Sequence, residues 1–233
     1  AKVAGRFLQY IPDSEIPSIE PLLGSWLETK VAGLERMVMS LAAVYYLRNL
    51  LSYDKIYSWF TDGKIQRESK EEALGILANH VQYQQYVENV ISVFSSLLDN
   101  DEQTVGKSIN NLFLRARPDD FHKLRHIIEE VAKRPAIRGP ALYDILNYLE
   151  KCLLVDAPSC FEILEMLLNV AGDDFYNFRD FVPAAHSKVP LAILNTIFEC
   201  YFELEDRALK VLDKLIELRW SGVDEYLKAA ERL

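Results

Sequence analysis

The chain has 233 residues, 50% hydrophobic and 26% charged, with a formal net charge of −9. That length and composition suit one large soluble domain or one repeat array, and they exclude a disordered chain. The negative charge is repelled by phosphate backbones unless cations are locally concentrated, so nucleic acid is disfavoured as the main partner.

Helical periodicity dominates from end to end, and no stretch alternates as a strand would. Pro17 or Pro21 opens a helix through Trp26, and a long apolar helix runs from about Ala32 to Leu51. Residues 70–98 read as one long or broken helix pair. In 101–116, Val105, Ile109, Leu112 and Phe113 form an apolar stripe behind an Asp101 cap. Phe121, Leu124, Ile127, Ile128 and Val131 form the next stripe, stopped at Arg134-Pro135. Gly139-Pro140 opens a helix and Asp156-Ala157-Pro158 opens another, with Gly172 as its C-cap. Residues 173–190 read as an irregular loop, Pro190 starts a further helix, and a short terminal helix spans 221–233.

The cysteines, Cys152, Cys160 and Cys200, are odd in number and form no CxxC. In apolar helical contexts they act as small hydrophobes, which points to a reducing, cytoplasmic compartment. The longest apolar run, Met37 to Leu47, is about half of the ~20 residues a spanning helix needs, so no membrane is expected. The chain opens at Ala1 rather than Met, so it reads as part of a longer protein or as a processed product.

The segment LLDNDEQTVGKSINNLFLRA, Leu97 to Ala116, is a helix end, an acidic turn and a second amphipathic helix. Such pairs recur about every 40 residues, the period of HEAT and armadillo arrays. The segment resembles the second half of a HEAT unit. Asp101 and Val105 match the turn and the first buried row, while Gly106 stands where that family usually carries Arg. The resemblance covers residues 85–220 and implies an all-α fold, a right-handed α-α superhelix of antiparallel helix pairs. On this view 1–233 is one helical-repeat domain, less regular over 1–84. The resemblance also implies protein-interaction scaffolding, as in the interaction or sensor parts of large multidomain bacterial NTPases, so other domains of a parent chain join the expected partners.

Phosphate loops (GxxxxGK[ST], GxGxxG) and the GxSxG, HExxH and CxxC signatures do not occur. His122 and His126 sit at i, i+4, but Lys123 stands where a zincin needs Glu, so a solvated helix face is the plainer interpretation. A calcium loop from Asp99 would need Gly at Thr104 and Glu at Asn110, and is rejected. No metal, cofactor or catalytic residue is assigned, and the chain is expected not to be an enzyme.

Two stretches carry the interaction hypotheses. The first is the loop aromatics Phe175, Tyr176, Phe178 and Phe181 around Arg179, residue types favoured as interface anchors. The second is a basic edge, Arg115, Arg117, His122, Lys123, Arg125 and His126, within a 115–138 stretch of seven Arg/Lys and four acids. That edge supports an alternative function, a nucleic-acid-binding HEAT-like module of the kind some DNA glycosylases build. The plainer interpretation is a face neutralised by pairs such as Glu130 with Arg134. A third group, Tyr45, Tyr46, Tyr53, Tyr57, Trp59 and Phe60, with Tyr83 and Tyr86 as candidate members, is expected to fill core. Its sharper alternatives are a peptide groove or a small-ligand sensor.

Overall fold

A computed structural model describes residues 12–29, 31–181 and 213 of the chain. Among them the regular structure is entirely helical, without strands. The chain divides into two compact units, Ala1–Arg117 and Pro118–Leu233.

In the first unit, helix α1 (Ile16–Glu28) begins with Pro17 in its first turn, where a missing N–H costs nothing. Leu23 and Leu27 face inward, one turn apart. Helix α2 (Ala32–Leu47) is buried almost all round: Val38, Met39, Leu41, Ala42, Ala43 and Tyr45 are 3% exposed or less. It ends four residues before the expected Leu51. Asn49 takes a left-handed φ of 58°, Leu50 N donates to Tyr45 O and Asn49 N donates to Tyr46 O. Those two bonds make a Schellman cap, which Asn tolerates better than most residues.

Helix α3 (Tyr53–Thr61) is capped by Ser52, whose Oγ accepts from Lys55 N. The expected pair over 70–98 resolves into α4 (Arg67–His80) and α5 (Val87–Asn100). Helix α4 packs on α2 and also touches α5 and two short helices, α6 (Glu102–Gly106) and α7 (Ile109–Arg115). These last two replace the single helix read from 101–116. Asp101 caps as expected, accepting from Thr104 N at 3.2 Å and Thr104 Oγ1 at 2.6 Å. The chain then breaks after Gly106, a poor helix residue. Val105, Ile109, Leu112 and Phe113 are nonetheless completely buried.

The second unit begins with a 3-10 turn, Pro118–Asp120, leading into α8 (Phe121–Ala132). Its five predicted core residues are all fully buried. Helix α9 is assigned continuously from Pro135 to Phe181, 47 residues with Pro140 and Pro158 inside. Three sequence expectations are corrected here. The helix starts at Pro135, not Pro140, because Arg134 serves as its first acceptor: Ile137 N and Arg138 N both donate to Arg134 O. Gly172 does not end it, since one glycine costs only about 1 kcal/mol in a helix. Asp173 to Phe181 is therefore helical rather than loop.

Helix α9 does not run straight. Arg138 Nη1 donates to Ala132 O at 2.9 Å, and Cys152 Sγ lies 4.0 Å from Pro118 O. The first arm thus returns antiparallel along α8. A straight continuation would place Glu162 about 15 Å beyond Cys152, off the end of α8. Instead Arg125 Nη2 meets Glu162 Oε2 at 2.9 Å, and His122 Nε2 lies 3.4 Å from Asp156 Oδ2. The helix folds back between Cys152 and Glu162. The residues for the bend are Asp156-Ala157-Pro158: Pro158 has no N–H, and Ser159 N donates to Asp156 Oδ1 at 3.1 Å, as at a helix start. The helix opening expected at Asp156 is therefore present as a reversal inside one helical run.

Asp156→Ala should cost about 1 kcal/mol, the usual loss of an N-cap. Bonds from Ser159, side chain then backbone, hold the Asp156 carboxyl below its ordinary range, helped by the charges of His122 and Arg125. Its stabilisation is complete above about pH 4, the unfolded value, and is lost as pH falls through the lowered folded value. Urea melts at pH 7 and pH 3 should show the variant's deficit shrinking in acid; an equal deficit at both would contradict the cap.

Candidate functional site

The basic edge divides between the units. Arg115 and Arg117 close the first, with Arg115 in the last turn of α7. His122, Lys123, Arg125 and His126 lie on α8 in the second. Much of the positive charge in the second unit is met locally. Arg125 Nε bonds Glu129 at 2.8 Å and its Nη2 bonds Glu162, and these bonds hold its guanidinium pKa up. Lys133 and Arg134 both grip Glu130, whose carboxyl they hold below the usual range. His122 is paired with Asp156, so it is not poised with His126 as a bare metal pair. Among the described residues no group of three or more His, Cys, Asp or Glu could hold a metal ion, and no helix is long and apolar enough to cross a membrane.

Phe175, Tyr176, Phe178, Arg179 and Phe181 belong to the last turns of α9. Their side chains, and residues 182–190, lie outside the described residues, as do Cys200 and the expected terminal helix.

The N-terminal aromatics separate into three settings. Tyr45, Phe60 and, at 8% exposure, Trp59 are core. Tyr46, Tyr53 and Tyr57 form a seam against α5: Tyr53 and Tyr57 stack with centroids 5.6 Å apart and planes at 13°. Their hydroxyls meet a polar stripe on α5. Tyr46 Oη donates to Asn89 O at 3.1 Å, Tyr53 Oη donates to Ser96 Oγ, and Asn100 Nδ2 donates to Tyr57 Oη at 2.9 Å. Asn89, Ser92, Ser96 and Asn100 recur every three or four residues, one helix face. That stripe was visible in the sequence as a polar row on an otherwise apolar helix, but its tyrosine partners were not. It argues for a docked helix seam rather than an open peptide groove.

Tyr83 and Tyr86 do not join that group. They sit on the 3-10 turn Gln84–Tyr86 and its flank, between α4 and α5. With His80 they make a three-ring cluster, centroids 5.8–6.3 Å apart and tilted or edge-on. His80 Nδ1 lies 2.7 Å from Ile76 O, a contact to the backbone carbonyl one turn earlier in which that nitrogen donates. Tyr83 is 50% exposed, and Gln82, Gln84 and Gln85 around it are exposed too. A rigid aromatic cluster rimmed by amides has the composition of a protein-contact anchor.

A cleft of about 350 Å³ opens elsewhere in the first unit, lined by Gly24, Leu27, Glu28, Trp59, Asp62 and Lys64 among others. Lys55 Nζ caps the Trp59 ring at 5.4 Å and pairs with Glu20 at 3.5 Å. Of the aromatics proposed for a ligand sensor, Trp59 alone lines this cleft.

Compared with protein-family models, with curated proteins and with solved structures, the chain matches none.

Proposed function

We propose that the chain is a non-enzymatic protein-interaction module of HEAT-like helix pairs, working as a scaffold or sensor part in the cytoplasm. The observation that carries this is the half-exposed Tyr83, fixed by His80 and Tyr86 at a turn between two packed helices. Tyr presents a large amphipathic surface with few rotamers to freeze, so it binds at low entropic cost. The aromatic end of α9, from Phe175 to Phe181, is a second contact region in this proposal. The local pairing of Arg125, Lys133 and Arg134 with acids weighs against the nucleic-acid alternative, because a phosphate groove needs uncompensated cations.

A photo-crosslinking residue placed at Gln84 tests the proposal in cells. It should yield a discrete protein adduct that is lost in Tyr83→Ala and retained in a variant of the remote cleft residue Lys64. Far-UV circular dichroism should be unchanged in both. No adduct, or one indifferent to Tyr83, removes the turn from the proposal. An adduct destroyed by nuclease would favour the nucleic-acid module instead. A parallel Phe178→Ala/Arg179→Ala variant tests the α9 region, with partner capture expected to fall.

A further inference from the structure

Helices α1 and α3 both pack on α2. The cleft of about 350 Å³ is lined by α1, by α3 and by the turn that follows α3, and that volume suits a small organic ligand. Its apolar lining is Leu27, Trp59 and Ile65, which keep 9%, 8% and 6% exposure. Gly24 contributes to the wall from the interior of α1, where glycine is among the least favourable residues. A Cβ there would meet no atom within 4 Å. No neighbour among the described residues therefore demands glycine, and its missing side chain leaves the cleft open.

The charges of the cleft fall into two kinds. Lys55 is engaged within the protein, over the Trp59 ring at 5.4 Å and against Glu20 at 3.5 Å. Asp62 holds the turn: its Oδ1 accepts from Lys64 N at 2.8 Å and its carbonyl accepts from Ile65 N at 3.2 Å, which fixes where Lys64 stands. The side chains of Glu28 and Lys64 are different. Among the described residues neither has a hydrogen bond or an ion pair, and the two do not pair with one another. One carboxylate and one ammonium thus line an apolar cleft with their bonding capacity unused.

We propose that this cleft is a binding site for a free α-amino acid with a large apolar side chain. Its carboxylate meets Lys64, its ammonium meets Glu28, and its side chain covers Leu27, Trp59 and Ile65. A ligand with only a carboxylate would bring its charge beside Glu28 and Asp62 without using either, and a plain amine would do the same beside Lys55 and Lys64. Phosphate groups meet the same two acids. A zwitterion satisfies both unused charges together, and an apolar side chain gains from leaving water. The site is independent of the protein contact proposed at Tyr83, so either can fail alone.

An NMR titration of the isotope-labelled full chain with L-phenylalanine tests the site, following the Trp59 indole N–H signal as identified by its loss in Trp59→Phe. A saturable shift is expected, with a Kd of about 1 mM or tighter. Hydrocinnamate lacks the ammonium and phenethylamine lacks the carboxylate; each should bind at least about tenfold more weakly, the loss of one charge-assisted contact. Lys64→Met should weaken L-phenylalanine about tenfold and leave phenethylamine unchanged, while Glu28→Gln should weaken L-phenylalanine similarly and leave hydrocinnamate unchanged. Gly24→Leu fills the cleft and favours the helix, so binding should be lost with the thermal midpoint kept or raised. The two charge variants carry the test if Gly24→Leu fails to fold. No saturable shift with L-phenylalanine would overturn the proposal, as would equal affinities for the three ligands or binding that survives in a folded Gly24→Leu.

Discussion

Phe94→Ala is expected to remove about 3–5 kcal/mol of folding free energy, the range for deleting a buried aromatic ring. The ring is completely buried on α5, in a row with Val87, Val90, Val93 and Leu97, each 0% exposed. Helix α5 touches α2, α3 and α4, so it is held among several packed helices that cannot all close in at once. Incomplete collapse is what puts a substitution at the top of the range. Against a total of roughly 5–15 kcal/mol for a domain, such a loss takes the first unit close to unfolding. Urea denaturation should show the midpoint falling with the m-value retained. A loss under about 1 kcal/mol would mean that α5 is not a central element.

The rows that fix this core were the most legible part of the sequence. Val105, Ile109, Leu112 and Phe113, and then Phe121 through Val131, appear in the structure as read, because a 3.6-residue period is set by burial alone. Helix ends were harder, because they depend on one residue's backbone. Asn49 ends α2 through a left-handed φ that Asn adopts only sometimes. Gly106 breaks a helix, whereas Gly172 lies within one. Pro158 was expected to open a separate helix, and it stands instead at the reversal inside one helical run. The candidate site was less legible still. Tyr83 and Tyr86 were grouped with the core tyrosines because aromatic spacing does not reveal which ring remains at the surface.

Glu35 and Lys70 passed unnoticed for a related reason: each looks like an ordinary surface residue of an amphipathic helix. Both are buried, at 1% and 6% exposure. Glu35 Oε1 accepts from Gln66 N at 2.7 Å, so a carboxylate on α2 caps the start of α4 from outside, where the helix dipole favours negative charge. Lys70 lies one turn inside α4. Burial pulls its ammonium pKa down, and the charges of Asp101, Asp62 and Glu35 pull it back up. Glu35→Ala is therefore expected to cost about 2–4 kcal/mol: it removes the charge-assisted bond from the Gln66 N–H and leaves the buried Lys70 with less compensation. Glu35→Gln keeps an acceptor and loses only the charge, so it should cost less than the alanine variant. If the charge matters through Lys70, the glutamine penalty should shrink in a Lys70→Met background; an unchanged penalty would separate the two residues. The pH dependence has a definite sign. A lysine whose folded pKa is lowered binds its proton less well when folded, so between the folded value and the unfolded value near 10.4 the unfolded chain holds more protons and stability rises with pH. Lys70→Met should abolish that alkaline rise. Melts at pH 7 and pH 10 on the wild type and this variant decide it, and a rise that survives the substitution would assign it to another group.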